Sequence, residues 1–431
     1  MKLFCLLLIL ILPLVGATQP LITLKNAIDT TLKNSFDIQL AAKNIDIARI
    51  NNTAGMAGGL PAINASIVDN QSSTDVLQKL NSGVEIKKSN ATSNALTSNL
   101  TAGILLFNGF KVEATRERLR ILQKQSEIEL NLQVQNSIAL VMSKYFDIVR
   151  QLEYLKIIQT LLDVSEKKLE IVNQRRKAGM ANDADFLQAS IDLNSTQQNL
   201  KSQQLVVEQT KTELLQLMSI RNYYTFDVKD SIVVDKSIEL NSVIEYLRKN
   251  PQYVSSEQQV RINEQVVKEI TTLRYPSLRL NTGLNFNRSQ SSAGLTLVNQ
   301  NIGPYAGVTV QVPIYNGNTY KIQKETAVFN VDNSKIQLQS LLNTLTADVI
   351  KTYQAYNTSL EQLKSQQNSV ELSGKLIKVV MEQFKVNQAT ILDVKAAQAS
   401  FETTCYQLVN LTYAAKIAEI ELKRLRFQLS N

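Results

Sequence analysis

Leu278-Arg279-Leu280-Asn281-Thr282-Gly283-Leu284-Asn285-Phe286-Asn287 puts Leu, Leu, Thr, Leu and Phe on one parity and Arg, Asn, Gly, Asn and Asn on the other. A side-chain period of two, apolar against polar, describes a strand whose two faces meet different media. Lipid outside and water inside is the arrangement of a transmembrane barrel wall. A half-exposed sheet in a soluble domain gives the same alternation, so this stretch leaves both readings open. Close by, Val308, Val310, Val312 and Ile314 alternate with Gly307, Thr309, Gln311 and Pro313.

Two earlier segments answer to these, around Pro61 to Val68 and Leu96 to Phe107, although Ile63 alternates poorly and Ala102-Gly103 thins the apolar face. Residues 70–94 and 289–301 are rich in Ser, Asn and Gln and read as exposed loops. Phe107, Phe110, Tyr275, Tyr305 and Tyr315 cluster near strand ends, where a barrel carries aromatic girdles. Four strands cannot close a barrel, and an open edge in lipid leaves backbone groups unsatisfied. The strands must therefore be completed by other copies of the chain. Physics alone sets their number only at more than one.

The four segments belong to a duplicated plan. Leu24 to Asn34 matches Leu240 to Asn250 at an offset of 216, and Leu60-Pro61 matches Tyr275-Pro276 at 215. Phe107-Asn108-Gly109 matches Tyr315-Asn316-Gly317 at 208, and Gly179 to Asp185 matches Asn387 to Asp393 at the same offset. The boundaries this implies are a first repeat over residues 18–220, a connection over 221–239 and a second repeat over 240–431. Each repeat reads helix, strand, loop, strand, long helix, tip, long helix.

The long helices carry coiled-coil spacing. Ile138, Val141, Tyr145, Ile148, Leu152 and Leu155 step by three and four, and Leu162 and Leu169 continue at sevens. Tyr356, Leu363, Val370, Ile377 and Phe384 repeat at sevens in the second half. Neither Pro nor Gly interrupts residues 111–178, a run that as helix would extend roughly 100 Å. A plain helical bundle explains the heptads but not the strands between them.

Lys2, an apolar run from Leu3 and Val15-Gly16-Ala17 describe a cleavable signal peptide over residues 1–17. That run is too short to span a bilayer, and no later window resembles a transmembrane helix. Beyond it the chain keeps one cysteine, Cys405, on the stripe Val394, Gln398, Phe401, Cys405, Leu408, which reads as a small buried hydrophobe. There is no histidine, so the commonest general base and metal ligand is missing. No pair of acids presents carboxylate chemistry in its place. The expectation is a protein without catalysis, metal or cofactor. The net charge of +8 is spread over helical stretches with interleaved glutamates, so a solvated helical surface is expected and nucleic acid is not.

Taken together, the proline and Asn-Gly landmarks, the two tips Arg176-Lys177-Ala178-Gly179-Met180-Ala181 and Lys385-Val386-Asn387-Gln388-Ala389-Thr390, and their repetition resemble the TolC-like outer-membrane efflux protein family. The resemblance runs from about Leu24 to Leu425. It implies a mainly α protein with a transmembrane β part. Duplicated helical hairpins would form an α-barrel, and four strands per protomer would enter a homotrimeric twelve-stranded β-barrel in outer-membrane lipid. It further implies a passive duct docked on a periplasmic membrane-fusion adaptor and an inner-membrane transporter of RND or ABC type.

Carried onto this chain, the resemblance assigns adaptor docking to Ala178, Gly179, Met180 and Ala181 and to Val386, Asn387, Gln388 and Ala389. Asn387 departs from the usual Gly but tolerates a left-handed backbone. Pro61, Asn108, Gly109, Pro276, Pro313, Asn316 and Gly317 would mark the bend between α-barrel and β-barrel. Asp393 would join a ring of carboxylates at a periplasmic gate, thinner than usual because Ala396 follows one turn later. Helix capping is the competing reading for Asp393 and the favoured one for Asp185. For Arg175, Arg176 and Lys177 the favoured role is to complement the helix dipole. The alternative from another class is a periplasmic coiled-coil adaptor or scaffold, which shares helical hairpins but does not explain the duplicated strands.

Overall fold

The computed structural model describes residues 20–429; the signal peptide expected over residues 1–17 lies outside them. The elements come in one order twice. Helices α1 (Leu24–Asn34) and α2 (Phe36–Asn51) lead into strands β1 (Ala62–Lys79) and β2 (Glu85–Phe107), followed by α3 (Lys111–Lys177) and α4 (Asp183–Leu217). After a connection, α5 (Leu240–Tyr246), a 3₁₀ turn over Leu247–Lys249 and α6 (Pro251–Thr272) lead into β3 (Ser277–Ser291), β4 (Val298–Gln311), α7 (Thr319–Lys385) and α8 (Ile391–Leu425). The two longest helices have 67 residues each and their partners 35 each.

The one helix expected at the head of each repeat is in fact two. Ser35 (ψ 126°) and Asn250 (ψ 131°) leave the helical region at places one residue apart in the two repeats. Pro251 then opens α6 at a first-turn position, where its missing N–H has no intrahelical role to lose.

The chain divides into two compact units, residues 20–40, 132–250 and 344–429 in one and residues 41–131 and 251–343 in the other. The second unit holds a four-stranded antiparallel sheet in the order β1-β2-β3-β4. Its strands are longer than expected. Residues 70–79 and 85–94, read as loop, continue β1 and β2 and leave only a five-residue turn at residues 80–84. Likewise β3 and β4 run through most of residues 289–301. The ladder is made by backbone groups, so Ser, Thr, Asn and Gln extend a strand wherever a neighbour supplies the register.

That register sorts the side chains. Leu280 pairs with Ile104 and Val308, Leu284 with Leu100 and Pro304, and Phe286 with Ser98 and Ile302. Across β1, Ala65 faces Leu100 and Ile67 faces Ser98. One face is thus apolar from Leu278 to Phe286, about 26 Å along the strand. Asp69, Leu96, Arg288 and Gln300 form the next row of that face and bring in charge. Thr282 lies within the apolar face and hides its hydroxyl by donating to the Tyr305 carbonyl at 2.9 Å. The opposite face carries Asn64, Asn99, Thr101, Asn281, Asn285, Asn287 and Thr309, laced by Asn281–Thr309 and Asn287–Asn301 hydrogen bonds of 3.1 Å. Tyr305 sits in mid-strand on this polar face, its ring stacked where a Gly283 side chain would project, and so is not at a strand end as expected.

In the first unit the long helices pack through the expected stripe. Ile138, Val141, Tyr145 and Ile148 are buried, as are Tyr356, Ile377 and Phe384. Beyond Leu155 the buried stripe is Ile158, Leu161, Ser165, Lys168 and Val172, whereas the expected Leu162 and Leu169 are half-buried. A true helix drifts against a strict seven-residue repeat, and here the seam has moved by one flank. The 221–239 connection is anchored in this unit. Phe226 and Val228 join the core around Tyr145, Leu214 and Ile420, and the Tyr145 hydroxyl donates to Ile22 O and the Asp230 carboxylate. Cys405 is buried there too, and burial pushes its thiol pKa up.

Candidate functional site

Both hairpins of the first unit turn by the same device. Gly179 takes φ +72° and Asn387 φ +64°. Met180 N–H returns to Arg175 O at 2.8 Å and Gly179 N–H to Arg176 O at 3.0 Å. Gln388 N–H returns to Gln383 O at 2.8 Å and Asn387 N–H to Phe384 O at 3.2 Å. These are matching Schellman closures of α3 and α7, and asparagine performs the second because its short polar side chain tolerates the left-handed region. Three residues on, Asn182 and Thr390 cap α4 and α8, each accepting from the N–H of the acid at the third helical position.

The two tips meet. Met180, Ala181, Asn387, Gln388 and Ala389 line one shallow groove, with Phe384 at its floor. The basic cluster holds it in shape. Arg175 lies 4.6 Å over the Phe384 ring and donates to Phe384 O, while Arg176 lies 4.6 Å over the Phe186 ring and pairs with Asp183 at 2.8 Å. Beneath the groove, Val172, Ala189, Ile377, Met381, Val394 and Ala397 form a shared apolar core.

Asp393 is exposed and closes a capping box. Its Oδ2 accepts from Thr390 N–H at 2.8 Å and from the Thr390 hydroxyl at 2.7 Å, and its own N–H donates to Thr390 Oγ1 at 3.2 Å. The Thr390 backbone bond first, then the hydroxyl, hold its carboxyl below the usual carboxylate range. Asp185 occupies the matching first turn, but there only its backbone N–H takes part, donating to Asn182 Oδ1 at 2.8 Å. Asp185 thus acts as a first-turn acid complementing the helix dipole, as expected, while Asp393 adds side-chain hydrogen bonds.

A charged cluster that sequence reasoning did not find lies two to three turns from the tips. Lys168 Nζ is fully buried and donates to Asp192 Oδ2 at 2.7 Å. Lys395, on α8, reaches Asp192 Oδ1 at 3.0 Å, and Gln188 donates to the same oxygen at 2.8 Å. Gln398 donates to Ser165 Oγ at 3.0 Å. Burial raises the Asp192 pKa, but the hydrogen bonds from Lys168, Lys395 and Gln188 outweigh it and leave the carboxyl depressed. One carboxylate therefore ties α3, α4 and α8 together. The available signal was Lys168 itself, a lysine at a seam position between Leu161 and Val172.

In the second unit each strand pair leaves by an Asn-Gly turn. Gly109 and Phe110 take φ +68° and +69°, and Gly317 and Asn318 take +66° and +64°. Asn108 Oδ1 accepts from Lys111 N–H at 3.0 Å, and Asn316 O accepts from the Thr319 hydroxyl at 2.8 Å, so each Asn starts the next helix. Pro61 and Pro276 stand immediately before β1 and β3, and Pro313 follows β4 in an extended stretch that exposes Ile314 and Tyr315. Pro61, Asn108, Gly109 and Pro276 therefore adjoin strand ends, Pro313 lies two residues beyond β4, and Asn316 and Gly317 adjoin the start of α7. Gly109 is further confined, since a Cβ there would lie 2.6 Å from Tyr275 Cβ and 3.0 Å from Thr272 O, whereas Gly317 has open space.

Among the described residues no helix is long and apolar enough to cross a membrane. A family model described as outer membrane efflux protein matches in two segments, residues 27–219 and 244–426. Outer membrane protein TolC of Escherichia coli (strain K12) is 19% identical over 373 residues, 82% of this chain and 75% of that one. The probable outer membrane lipoprotein SilC of Salmonella typhimurium is 20% identical over 406 residues, 92% of this chain and 83% of that one. The crystal structure of the Campylobacter jejuni CmeC outer membrane channel has the same fold, with a TM-score of 0.75 at 18% identity over 94% of this chain and 85% of that one.

Two outcomes follow from the geometry. Asp192→Asn leaves the Lys168 ammonium buried without a counter-charge and is expected to destabilise the protein by about 3–5 kcal/mol, while Lys168→Met with Asp192→Leu recovers most of the loss. Because the Asp192 pKa is depressed, its stabilisation is present above about pH 4 and is lost as pH falls through the folded value, so the wild-type and Asn melting curves converge in acid. Equal melting of both at neutral pH contradicts this. At the junctions, Gly317→Ala should cost about 1–2 kcal/mol for its left-handed backbone alone, and Gly109→Ala distinctly more because of the Tyr275 contact. Comparable losses in thermal melting would show that the contact does not matter.

Proposed function

This chain belongs to the outer membrane efflux protein family, and from that premise we propose that it is the passive exit duct of a tripartite efflux or type I secretion system. It is an outer-membrane efflux channel protein. The observation that carries the finer reading is the sheet, which has an apolar face and two strands, β1 and β4, each paired on one side only. In lipid those edges must pair, and the pairing open to them is β4 of one copy with β1 of the next. Three copies give twelve strands, an even number within the known range for such barrels. At a strand tilt of about 40°, the apolar band from Leu278 to Phe286 is roughly 20 Å tall, close to the band of about 25 Å that outer-membrane barrels present.

A second feature supports a homotrimer. Ile322, Phe329 and Ile336 repeat at sevens along α7 and are 60%, 67% and 63% exposed in one chain. A heptad seam without a partner fits a helix of a neighbouring copy in an α-barrel. The tip groove at Met180, Ala181, Asn387, Gln388 and Ala389 then receives the hairpin of a periplasmic membrane-fusion adaptor, and an inner-membrane transporter supplies the energy. In this reading the duct catalyses nothing. Three Asp393 carboxylates face one another at the periplasmic entrance and attract cations.

Leu284→Arg, on the apolar face, should abolish heat-modifiable oligomers in outer-membrane fractions, at a cost of about 2–4 kcal/mol per chain near the bilayer midplane. Asn285→Arg, one residue on and facing water, should assemble normally. A mature protein that fractionates as a soluble periplasmic monomer and gives no conductance in planar bilayers would instead identify an adaptor or scaffold. For the entrance, Asp393→Asn is expected to weaken block of the reconstituted channel by divalent cations. Unchanged block and ion selectivity would leave Asp393 with its cap alone.

A further inference from the structure

The four-stranded part of the sheet, residues 62–74, 91–107, 277–291 and 298–311, contains three charged side chains: Asp69, Arg279 and Arg288. Asp69 and Arg288 share the row that ends the apolar face. Arg279 is the one charge on the polar face. It pairs with Leu105 and Thr309 near the end of the sheet from which the helices leave. Its guanidinium lies beside Asn281 over the bare backbone of Gly103, with Nη1 3.7 Å from where a Gly103 Cβ would be. No carboxylate among the described residues pairs with it. The rest of that face is Asn, Ser, Thr, Gly, Ala, Val68, Leu105, Tyr305 and Gln311, all uncharged.

We propose that three Arg279 guanidiniums form a ring at the helix-joined end of the barrel lumen that attracts anions and sets the ion preference of the barrel. The inference rests on the trimeric-channel reading. Twelve strands about 4.8 Å apart and tilted about 40° enclose a backbone cylinder of roughly 12 Å radius. Lying a few ångströms off the wall over Gly103, the guanidinium is about 8–9 Å from the lumen axis, within the Debye length of about 10 Å at 0.1 M salt. No other charge of the four-stranded part lies on that face. Guanidinium is strongly charged at every working pH and binds carboxylate, phosphate and sulfate groups in a fork. Solutes carrying such groups are therefore the ones the ring favours, and its wide spacing keeps each contact weak enough to release.

The test measures chloride-to-potassium permeability of the full-length channel in planar bilayers across a KCl gradient. At about 0.1 M salt, Arg279→Gln should lower the ratio about two- to threefold and Arg279→Glu further, and the difference should fade near 1 M, where the Debye length is about 3 Å. Arg279→Lys should keep the wild-type ratio, and Arg288→Gln, on the other face, should leave it unchanged. Wild-type ratios in both Arg279→Gln and Arg279→Glu overturn the ring while leaving the channel intact. A wild-type protein that forms no pore overturns the channel reading instead. As a check that needs no substitution, inorganic tripolyphosphate added on the side of the strand turns should reduce the wild-type current at low salt. An unaffected current also counts against the ring.

Discussion

A four-stranded sheet with one apolar face cannot be a finished object. Its apolar face asks for lipid or a core, and in the single chain Ile67, Leu284, Ile302 and Val308 on that face are all exposed. In lipid the unpaired N–H and C=O groups of β1 and β4 have no water to bind, and each would cost several kcal/mol. Closure through other copies satisfies both demands at once. Oligomerisation here is thus a condition of membrane residence and not an embellishment of a stable monomer. The exposed seam along α7 makes the same demand in water by a different mechanism, since it is apolar area and not backbone polarity that goes unsatisfied.

Duplication supplies the halves, but the halves are not equivalent. The Schellman turns, N-caps and Asn-Gly junctions repeat at an offset of 208, because turn geometry leaves few residue choices. The Lys168–Asp192–Lys395 link does not repeat. The second half has Leu376 and Ser400 where the first has Lys168 and Asp192, and Leu187 stands opposite Lys395. A buried ion pair adds little net stability over apolar packing, but it penalises every arrangement that separates the partners. The buried pair lies within the first hairpin, and Lys395 of the second hairpin reaches its carboxylate, so the arrangement distinguishes the two repeats where two copies of one apolar seam could not.

What could be read from residues follows from how local each cause is. The strand from Leu278 to Phe286, the left-handed turns at Gly179 and Asn387 and the long helix from Lys111 rest on neighbours in sequence, and these were legible. Residues 70–94 were not, because their polar composition resembles loop and only the β1–β2 ladder between them shows the register that makes them strand. Lys168 was missed because the heptad count was carried through Leu162 and Leu169 while the real seam had drifted to Leu161 and Val172. The break at Ser35 and Asn250 leaves no strong signal in the first repeat, whereas Pro251 marks it in the second. Of the candidate sites, the turns at Gly179, Asn387, Gly109 and Gly317 were legible from their residue types, whereas docking and bend roles come from the resemblance alone. The bond pattern of Asp393 was not, since Asp185 and Asp393 occupy the same place in two similar helices and differ only in whether the cap is Asn or Thr.

That last difference bears on the gate role proposed for Asp393. A capping box and the proposed entrance ring look like rival uses of one carboxylate, but the cap occupies only one oxygen. Oδ2 of Asp393 is held by the Thr390 N–H and hydroxyl, and Oδ1 has no hydrogen bond among the described residues. An unheld side chain near a symmetry axis would swing away from its two copies, because like charges repel. A carboxylate anchored by one oxygen keeps its charge where the helix start puts it, and the same bonds that favour the ionised form resist the protonation that crowding would otherwise induce. Asp185, whose carboxylate makes no such bond in the first half, has no comparable constraint on where its charge points. The cap is therefore what equips Asp393, and not its counterpart, to present a fixed charge at the end of the hairpin.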